Sequence, residues 1–167
     1  KCHVSDYLDR KTSLLSDSIL VFSEADKRRL PVNALQFNYF VNTHKPHLRG
    51  KDIAFIGELD KYHGINDFVK LALQFPKQKF HVFGDGPLLS ALTKTIGKNI
   101  IFHGDPVSME GNWSMIGLLI IPIKTQHLPI NAIMAMSLGI PVAGYQVGFL
   151  SELIDNKTGW LSPVGDL

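Results

Sequence analysis

The sequence has very little cysteine: Cys2 is the only one among 167 residues. A single cysteine excludes a disulfide within the chain and a zinc site built from cysteine pairs. Its scarcity fits a reducing compartment. The seven histidines offer no metal motif instead, since His44 and His47 stand in a proline-containing stretch and no His-Glu-x-x-His pattern occurs. We therefore expect no metal site.

Excess charge and long apolar runs are also lacking. Lys and Arg number 17 and Asp and Glu number 15, so the formal charge is only +2. Without a basic stripe, this balance argues against nucleic acid as a partner. The longest apolar run, Ile116–Pro122, is far shorter than the roughly 18 residues of a membrane-spanning helix. Hydrophobic residues still make up 45% of the chain, which excludes disorder and predicts a packed core.

The two ends of the sequence lack the marks of a whole protein. The chain begins with Lys1 rather than Met, and its first residues do not have the shape of a signal peptide. At the other end, Gly165–Leu167 complete no recognisable element. We interpret the chain as a piece of a longer protein.

From residue 51 onward, apolar runs of strand length alternate with helical patterns. The predicted strands are Ile53–Ile56, Phe80–Phe83, Ile100–Phe102, Leu118–Ile121, Pro141–Ala143 and Trp160–Leu161. The predicted helices are Asn66–Phe75, Leu88–Ile96, Val107–Trp113, Asn131–Leu138 and Leu150–Ile154. This alternation predicts βαβ units and a parallel sheet, and the continuous apolar strands indicate that helices cover both faces.

The first 50 residues have a different pattern. Ser18–Phe22 is a strand-like run, and Ser23 is a candidate N-cap for a helix over Glu24–Leu30. A further strand is predicted within Ala34–Val41. The polar stretch Asn42–Gly50 reads as a linker.

Glycines follow several of the predicted strands, at Gly57, Gly84, Gly86 and Gly104. The carboxyl ends of parallel strands are where open α/β sheets bind ligands, and glycines allow close backbone approach there. The same glycines can also serve a purely steric purpose. The turn Gly84–Pro87 lacks the third glycine and the later acidic residue of a dinucleotide fingerprint, so an oxidoreductase domain fits poorly.

The order of these segments resembles the C-terminal, donor-binding half of GT-B glycosyltransferases, in particular the retaining family 4 (group 1) type. The resemblance runs from Ile53 to Leu161. Its most specific part is the run Ala135-Met136-Ser137-Leu138-Gly139-Ile140-Pro141-Val142. Other matching segments are Phe55–Leu59 with His63-Gly64, Val82–Pro87, Ile101–Gly104, Leu119–Pro122, Leu128-Pro129, Val147–Phe149 with Glu152–Ile154, and Gly159–Leu161.

The resemblance implies a Rossmann-like parallel sheet in the order 3-2-1-4-5-6. It implies that residues 1–50 are the end of the N-terminal acceptor domain plus a linker, and that 51–167 bind a nucleotide-sugar donor. The activity would be sugar transfer to a glycan or lipid-linked acceptor, in the cytoplasm or at the inner face of a membrane, with peripheral membrane association through other parts of the chain. Catalysis in this fold occurs between two domains, so these 167 residues alone are expected to be inactive. No metal or cofactor is implied, because the nucleotide sugar is a substrate.

The resemblance also assigns site positions, without a catalytic residue among them. The donor-binding positions are Gly57, Glu58, His63, Gly84, Gly86, Gln126, His127, Leu128, Pro129, Ile130, Asn131 and Met134. A loop beside the nucleotide base comprises Gly104, Asp105 and Pro106.

Four of these positions depart from the family pattern. The family has an Arg and a Lys on the donor diphosphate where this chain has Glu58 and His63, and two glutamates where it has Gln126 and Met134. Lys61 and Lys124 are candidate replacement cations. The departures favour an alternative, a non-catalytic glycosyltransferase-like partner or scaffold module. His81 and His103 are predicted to be structural sheet residues, and Trp113 and Trp160 packing residues.

Overall fold

The structure is a computed structural model that describes residues 10–15, 18–21, 23–30, 34–36, 50–95, 97–105, 109, 111–125 and 129–167. The chain forms two compact units, residues 1–40 and 41–167. The proposed linker over Asn42–Gly50 lies outside the described residues except for its last residue.

The first unit contains two short strands and a capped helix. Strand β1 (Ile19–Val21) pairs in parallel with β2 (Ala34–Gln36), and helix α1 (Glu24–Arg29) connects them; residues 10–13 are also helical. The Ser23 hydroxyl accepts a hydrogen bond from the Asp26 N–H at 3.0 Å, so Ser23 is the N-cap that the sequence predicts.

The second unit alternates strands and helices along its described length. Its strands are β3 (Asp52–Ile56), β4 (Phe80–Phe83), β5 (Ile100–Gly104), β6 (Ile116–Ile121), β7 (Val142–Tyr145) and β8 (Gly159–Ser162). Its helices are α2 (Ile65–Gln74), α3 (Leu89–Thr95), α4 (Ile130–Ser137) and α5 (Leu150–Leu153), with a 3₁₀ turn at Trp113–Met115.

The six strands form one parallel sheet in the spatial order β5-β4-β3-β6-β7-β8. Counted from β3, this is the order 3-2-1-4-5-6, which confirms the predicted doubly wound topology. The order reverses between β3 and β6, so a crevice opens beyond the carboxyl ends of these two strands.

Each face of the sheet is covered by helices. Alternate residues of β3 point to opposite sides: Phe55 packs with Phe68 of α2, whereas Ala54 and Ile56 pack in the core that contains Ala132 of α4. The continuous apolar strands therefore have the two covered faces that the sequence predicts. No helix in the described ranges is long and apolar enough to span a bilayer.

Two local predictions are wrong. The helix predicted over Val107–Trp113 is wrong at its end, where residues 111–112 form a turn and Trp113 begins the 3₁₀ segment; residues 107, 108 and 110 of this prediction lie outside the described residues. Gly111 in the turn has a φ of 89°, a left-handed conformation that glycine adopts readily. Trp113 packs against the core, but Trp160 is 66% exposed on the edge strand β8 and is not a packing residue.

Two histidines and an aspartate form a row across three neighbouring strands. The His81 Nε2 of β4 lies 3.0 Å from Asp52 Oδ2 of β3, and the His81 Nδ1 lies 2.8 Å from His103 Nε2 of β5. The His103 ring stacks on Phe83 with 4.3 Å between centroids. Both histidines are strand residues, as the sequence predicts. Burial, and then the neighbouring His81, lower the pKa of His103.

This row predicts acid-sensitive stability. A lowered histidine pKa means that folding disfavours the protonated ring. Stability is therefore fully present above the unfolded pKa of about 6.5 and falls as the pH drops through the lower pKa of the folded state. We expect the melting temperature to fall by up to about 4 °C across this interval, and His103→Gln to reduce the fall. Melting curves at closely spaced pH values measure this; an identical pH profile in His103→Gln would contradict it.

Candidate functional site

A cleft opens where the sheet order reverses, at the carboxyl ends of β3 and β6. It has a volume of about 430 Å³. Five of its lining residues are predicted donor-binding positions: Gly57, His63, Pro129, Ile130 and Asn131. Apolar residues complete the wall: Phe55, Ile56, Ile121 and Ile123. A pocket of apolar walls with a few polar groups at one edge is typical of small-ligand sites.

The start of helix α4 is tied directly to strand β3. The Asn131 side-chain amide donates a hydrogen bond to the Ile56 carbonyl at 3.1 Å. Pro129 precedes the helix without a side-chain cap. The N–H groups of Ile130 and Asn131 have no carbonyl partner within their own helix, because the first helical N–H groups never do. The cleft therefore has the positive end of a helix in its wall, which favours anions.

His63 is held in the cleft wall by Asp60. Asp60 Oδ1 accepts hydrogen bonds from the backbone N–H groups of Tyr62 at 2.9 Å and His63 at 2.7 Å, and it lies 2.8 Å from the His63 Nδ1. Burial alone would raise the pKa of Asp60, but the hydrogen bonds from the backbone and ring of His63 outweigh it and lower the pKa. Asp60 is therefore a carboxylate that fixes both the loop and the imidazole.

Glu58 brings a second carboxylate to the same loop. Glu58, Asp60 and His63 each have a possible metal-ligand atom within 4.8 Å of the others, and Glu58 is exposed. Two of these possible ligand atoms are already engaged with each other. Asp60 Oδ1 accepts three hydrogen bonds, and one of them comes from the His63 Nδ1. We assign no metal ion to this cluster. Its carboxylates make the loop negative where the resembling enzymes have two cations.

Lys124, a candidate replacement cation, is held by another residue. Its Nζ lies 2.7 Å from Asp67 Oδ2 at the start of α2, and the buried Tyr145 hydroxyl donates to the same oxygen at 2.9 Å. Burial alone would raise the pKa of Asp67, but the hydrogen bonds from Lys124 and Tyr145 outweigh it and lower the pKa. Lys61, the other candidate, places its Nζ 4.9 Å from the ring centroid of Tyr62.

The glycines after β4 meet a steric need of the neighbouring loop. A Cβ at Gly84 would stand 1.9 Å from the Gly57 carbonyl oxygen, and one at Gly86 would stand 2.7 Å from the Leu59 nitrogen. The two loops are also joined by a hydrogen bond from the Leu59 N–H to the Asp85 carbonyl at 2.9 Å. Loop packing therefore accounts for these two glycines without a ligand. A Cβ at Gly104 would meet nothing within 4 Å.

A second cleft lies between the loops that follow β4 and β5. Its volume is about 610 Å³. Two predicted site residues, Gly86 and Gly104, are part of its wall, which also includes Asp85, Pro87, Leu89, Ser90, Thr93 and Phe102.

Seven of the predicted positions line these two clefts. Glu58 and Gly84 belong to the loops that build them, and Asp105 directly follows β5. Met134 is partly exposed on α4 and is absent from the described lining of either cleft. Gln126, His127, Leu128 and Pro106 lie outside the described residues.

The sequence prediction missed the residues that orient others, above all Asp60 and Asp67. A signal for Asp60 exists, because an aspartate that precedes two exposed polar positions favours an Asx turn, in which its side chain accepts from later backbone N–H groups. Asp67 had no comparable signal, since its partner Tyr145 lies far along the chain.

One family model matches more than half of the chain. A family model described as "Glycosyl transferases group 1" matches residues 50–167. Among curated proteins, the 2-deoxystreptamine N-acetyl-D-glucosaminyltransferase of Streptomyces fradiae is 27% identical over 129 residues, which are 69% of this chain and 31% of that protein. The chain thus spans about a third of the length of this relative.

Solved structures of similar fold include three informative ones. Sucrose-phosphate synthase from Thermosynechococcus elongatus has a TM-score of 0.82 at 20% identity, with 99% of this chain and 50% of that chain covered. HepE from Anabaena, in complex with UDP and glucose, has a TM-score of 0.82 at 14% identity and coverage of 99% and 55%. The C-terminal domain of a group 1 glycosyl transferase from Francisella tularensis has a TM-score of 0.58 at 20% identity and 71% coverage of both chains.

Proposed function

The chain belongs to the group 1 glycosyltransferase family, and on this premise we propose that residues 51–167 bind the nucleoside-diphosphate sugar of a sugar-transfer reaction. The acceptor would be a hydroxyl of a glycan or a lipid-linked glycan. The observation that carries the proposal is the cleft at the topological switch point, which gathers Gly57, His63 and the start of α4 into one wall. Open α/β sheets bind nucleotides at this place.

Each part of the cleft has a role in this proposal. The N–H groups at the start of α4 face a diphosphate, whose negative charge suits the positive end of a helix. The hydrogen bond from Asn131 to the Ile56 carbonyl holds the start of α4 close to Gly57, the residue after Ile56. His63 contributes a cation when its ring is protonated. The second cleft, with Gly86 and Gly104 in its wall, takes the base and ribose.

A uridine nucleotide is the first donor to test. The HepE structures contain UDP with glucose and UDP-glucose, and a TarM structure contains UDP. Those ligands belong to those proteins, and they guide the choice of probe for this one.

A second candidate, a non-catalytic module that keeps the fold, rests on the charges of the site. Glu58 is exposed where the resembling enzymes have Arg, and Lys124 lies 2.7 Å from Asp67. A diphosphate bound beside two carboxylates loses much of the charge stabilisation that a departing phosphate needs. This candidate predicts glycan binding without measurable nucleotide binding.

Titration of the ¹⁵N-labelled chain with UDP-glucose tests the proposal. We expect chemical-shift changes to concentrate on residues 57–63, 84–87, 104–105 and 129–131, with a dissociation constant in the micromolar to millimolar range. Uridine and glucose added separately are the controls. A smaller cleft at the opposite end of the sheet, lined in part by Gly139, Pro141 and Lys157, is the matched control surface. Changes confined to that cleft, or none with UDP-, GDP- or ADP-glucose, would contradict donor binding at the switch point.

A further inference from the structure

The geometry around His63 determines which of its ring nitrogens can donate a hydrogen bond. The Nδ1 lies 2.8 Å from Asp60 Oδ1. A carboxylate has no proton to give, so Nδ1 must carry the hydrogen of this contact. In the neutral ring, Nε2 then has a lone pair and only accepts. It becomes a donor when the ring takes up a second proton.

The Cδ2 edge of the same ring lies near Gly57, its neighbour in the cleft wall. His63 is part of the cleft wall, and its Cδ2, the neighbour of Nε2, is 3.9 Å from the point where a Cβ on Gly57 would stand. Asp60 is largely buried, with 18% of its side chain exposed, and its Oδ1 is fixed by three donors. The ring orientation is therefore set by a rigid partner.

We propose that the Asp60–His63 pair couples donor binding to the uptake of one proton. Asp60 keeps a hydrogen on Nδ1, so Nε2 donates to the diphosphate only in the imidazolium state, and the carboxylate stabilises that state. This proposal rests on the proposed function. It makes Asp60 a positioning residue and gives the enzyme a pH-dependent cation where the resembling family has a permanent one.

The other charged groups near the loop set the conditions of the test. On the same loop they are Glu58 and Lys61, and the loop after β4, which is joined to it through Leu59, has Asp85. From the loop after β6 comes Lys124, whose N–H donates to the Tyr62 carbonyl and whose ammonium pairs with Asp67 of α2. Among the described residues of α4 that line the cleft, none is charged. Carboxylates and lysine amines ordinarily keep their charge between pH 6 and 8, whereas histidines change theirs.

Calorimetric titration with UDP-glucose at pH 6 and pH 8, in EDTA, measures the coupling. UDP-glucose lacks the terminal phosphate that titrates near pH 6 in UDP, so its own charge stays constant. We expect binding about tenfold weaker at pH 8 than at pH 6, because donation from Nε2 needs the imidazolium state and histidines as a class lose their charge in this pH range. Buffers of different ionisation enthalpy should report a net uptake of protons on binding at pH 8, and none in His63→Gln.

Two variants separate positioning from a merely structural role. Asn at position 60 can still accept from the two backbone N–H groups, so Asp60→Asn preserves the turn, but it no longer forces the hydrogen onto Nδ1. We call the affinity at pH 6 divided by the affinity at pH 8 the pH ratio. We expect the pH ratio of Asp60→Asn to fall below about threefold, and that of His63→Gln to approach one. Equal weakening at both pH values, with the ratio unchanged, would mean that Asp60 only holds the loop.

Asp155→Asn is the matched control. Asp155 Oδ1 accepts from the N–H groups of Lys157 at 2.9 Å and Thr158 at 3.0 Å, which is the same turn in a loop that precedes β8. Its pH ratio should equal that of the wild type. His127→Gln checks the other histidine that the sequence assigns to the site, and a pH ratio that follows His127 overturns the proposal.

The remaining outcomes distinguish this proposal from the proposed function. Wild-type binding with a pH ratio near one overturns the proton coupling and leaves donor binding intact. Binding that is lost in EDTA and restored by Mg²⁺ also overturns it, in favour of a metal held by Glu58, Asp60 and His63. No binding of UDP-, GDP- or ADP-glucose at either pH overturns both.

Discussion

Glu58→Arg is expected to tighten the binding of UDP-glucose by about 10- to 100-fold. Glu58 follows Gly57 at the edge of the cleft and is exposed. A unit charge about 4 Å from a phosphate charge contributes about 1 kcal/mol in water and about 4 kcal/mol at an effective dielectric near 20. Because 1.4 kcal/mol is a factor of ten, reversing the sign at a solvated position gives one to two orders of magnitude. Calorimetry at constant pH measures this change.

Two controls test the electrostatic reason for this effect. Glu58→Gln removes the repulsion without adding an attraction, so its affinity should lie between those of the wild type and Glu58→Arg. Raising the salt concentration to 1 M should reduce the gain in affinity of Glu58→Arg, because the Debye length is then only about 3 Å. An unchanged affinity in Glu58→Arg would mean that this side chain does not face the diphosphate, and a lower one that Glu58 makes a needed contact.

The core of the second unit could be predicted from the sequence because its signals are local. Continuous apolar strands such as Phe80–Phe83 leave no polar face, so both faces must be covered, and the predicted strand matches the observed one. The strand order came from the family resemblance, since apolar runs alone do not say which strands are neighbours. Predicted helix ends differ by one residue at α2 and α4. The prediction failed at residues 111–112, which form a turn with a left-handed glycine where a helix was expected.

The cleft could be predicted in part for a topological reason. Gly57 and Pro129 follow β3 and β6, which are neighbours in the sheet, so any residues after these two strands meet at one edge. The polar contacts within and beside the cleft could not be predicted in this way. Tyr145 and Asp67 are 78 positions apart, and no pattern in the chain indicates that a phenol, a lysine and an aspartate share one oxygen. The sequence therefore suggests Lys124 as a cation for the donor, whereas in the structure its ammonium pairs with Asp67.

This shared oxygen of Asp67 makes Asp67→Ala a strongly destabilising substitution. The Asp67 side chain is only 14% exposed, and Tyr145 is fully buried. Removal of the carboxylate leaves the Tyr145 hydroxyl without its acceptor and Lys124 without its counter-ion. An unsatisfied buried group costs about 1–3 kcal/mol, and loss of one partner of a buried ion pair costs about 3–5 kcal/mol. Because Lys124 is partly exposed, we expect the free energy of unfolding to fall by about 3 kcal/mol, measured by urea denaturation.

Matched variants divide this loss among the contacts. Tyr145→Phe removes one hydrogen bond to a charged acceptor, so it should cost about 1.5–3 kcal/mol. Lys70→Ala removes a pair that is 3.7 Å long and whose lysine is 75% exposed, so it should cost less than about 1 kcal/mol. Asp67→Asn keeps an acceptor for Tyr145 and removes only the charge, so it should lie between Lys70→Ala and Asp67→Ala.

The pH dependence of the Asp67→Asn difference identifies the charge as its cause. The pKa of Asp67 is lowered on folding, because the hydrogen bonds from Lys124 and Tyr145 outweigh the effect of burial. A lowered carboxyl pKa stabilises the fold above the unfolded value of about 3.9, and this stabilisation is lost as the pH falls through the folded pKa. At the alkaline end, burial and Asp67 raise the pKa of Tyr145 to about 12, so its contribution is fully present below the unfolded tyrosine pKa of about 10 and is lost as the pH rises toward 12. The difference between wild type and Asp67→Asn should therefore be constant from about pH 6 to pH 9 and shrink toward pH 3. A difference that stays the same size at pH 3 would assign the loss to packing around Tyr145 instead of to the carboxylate charge.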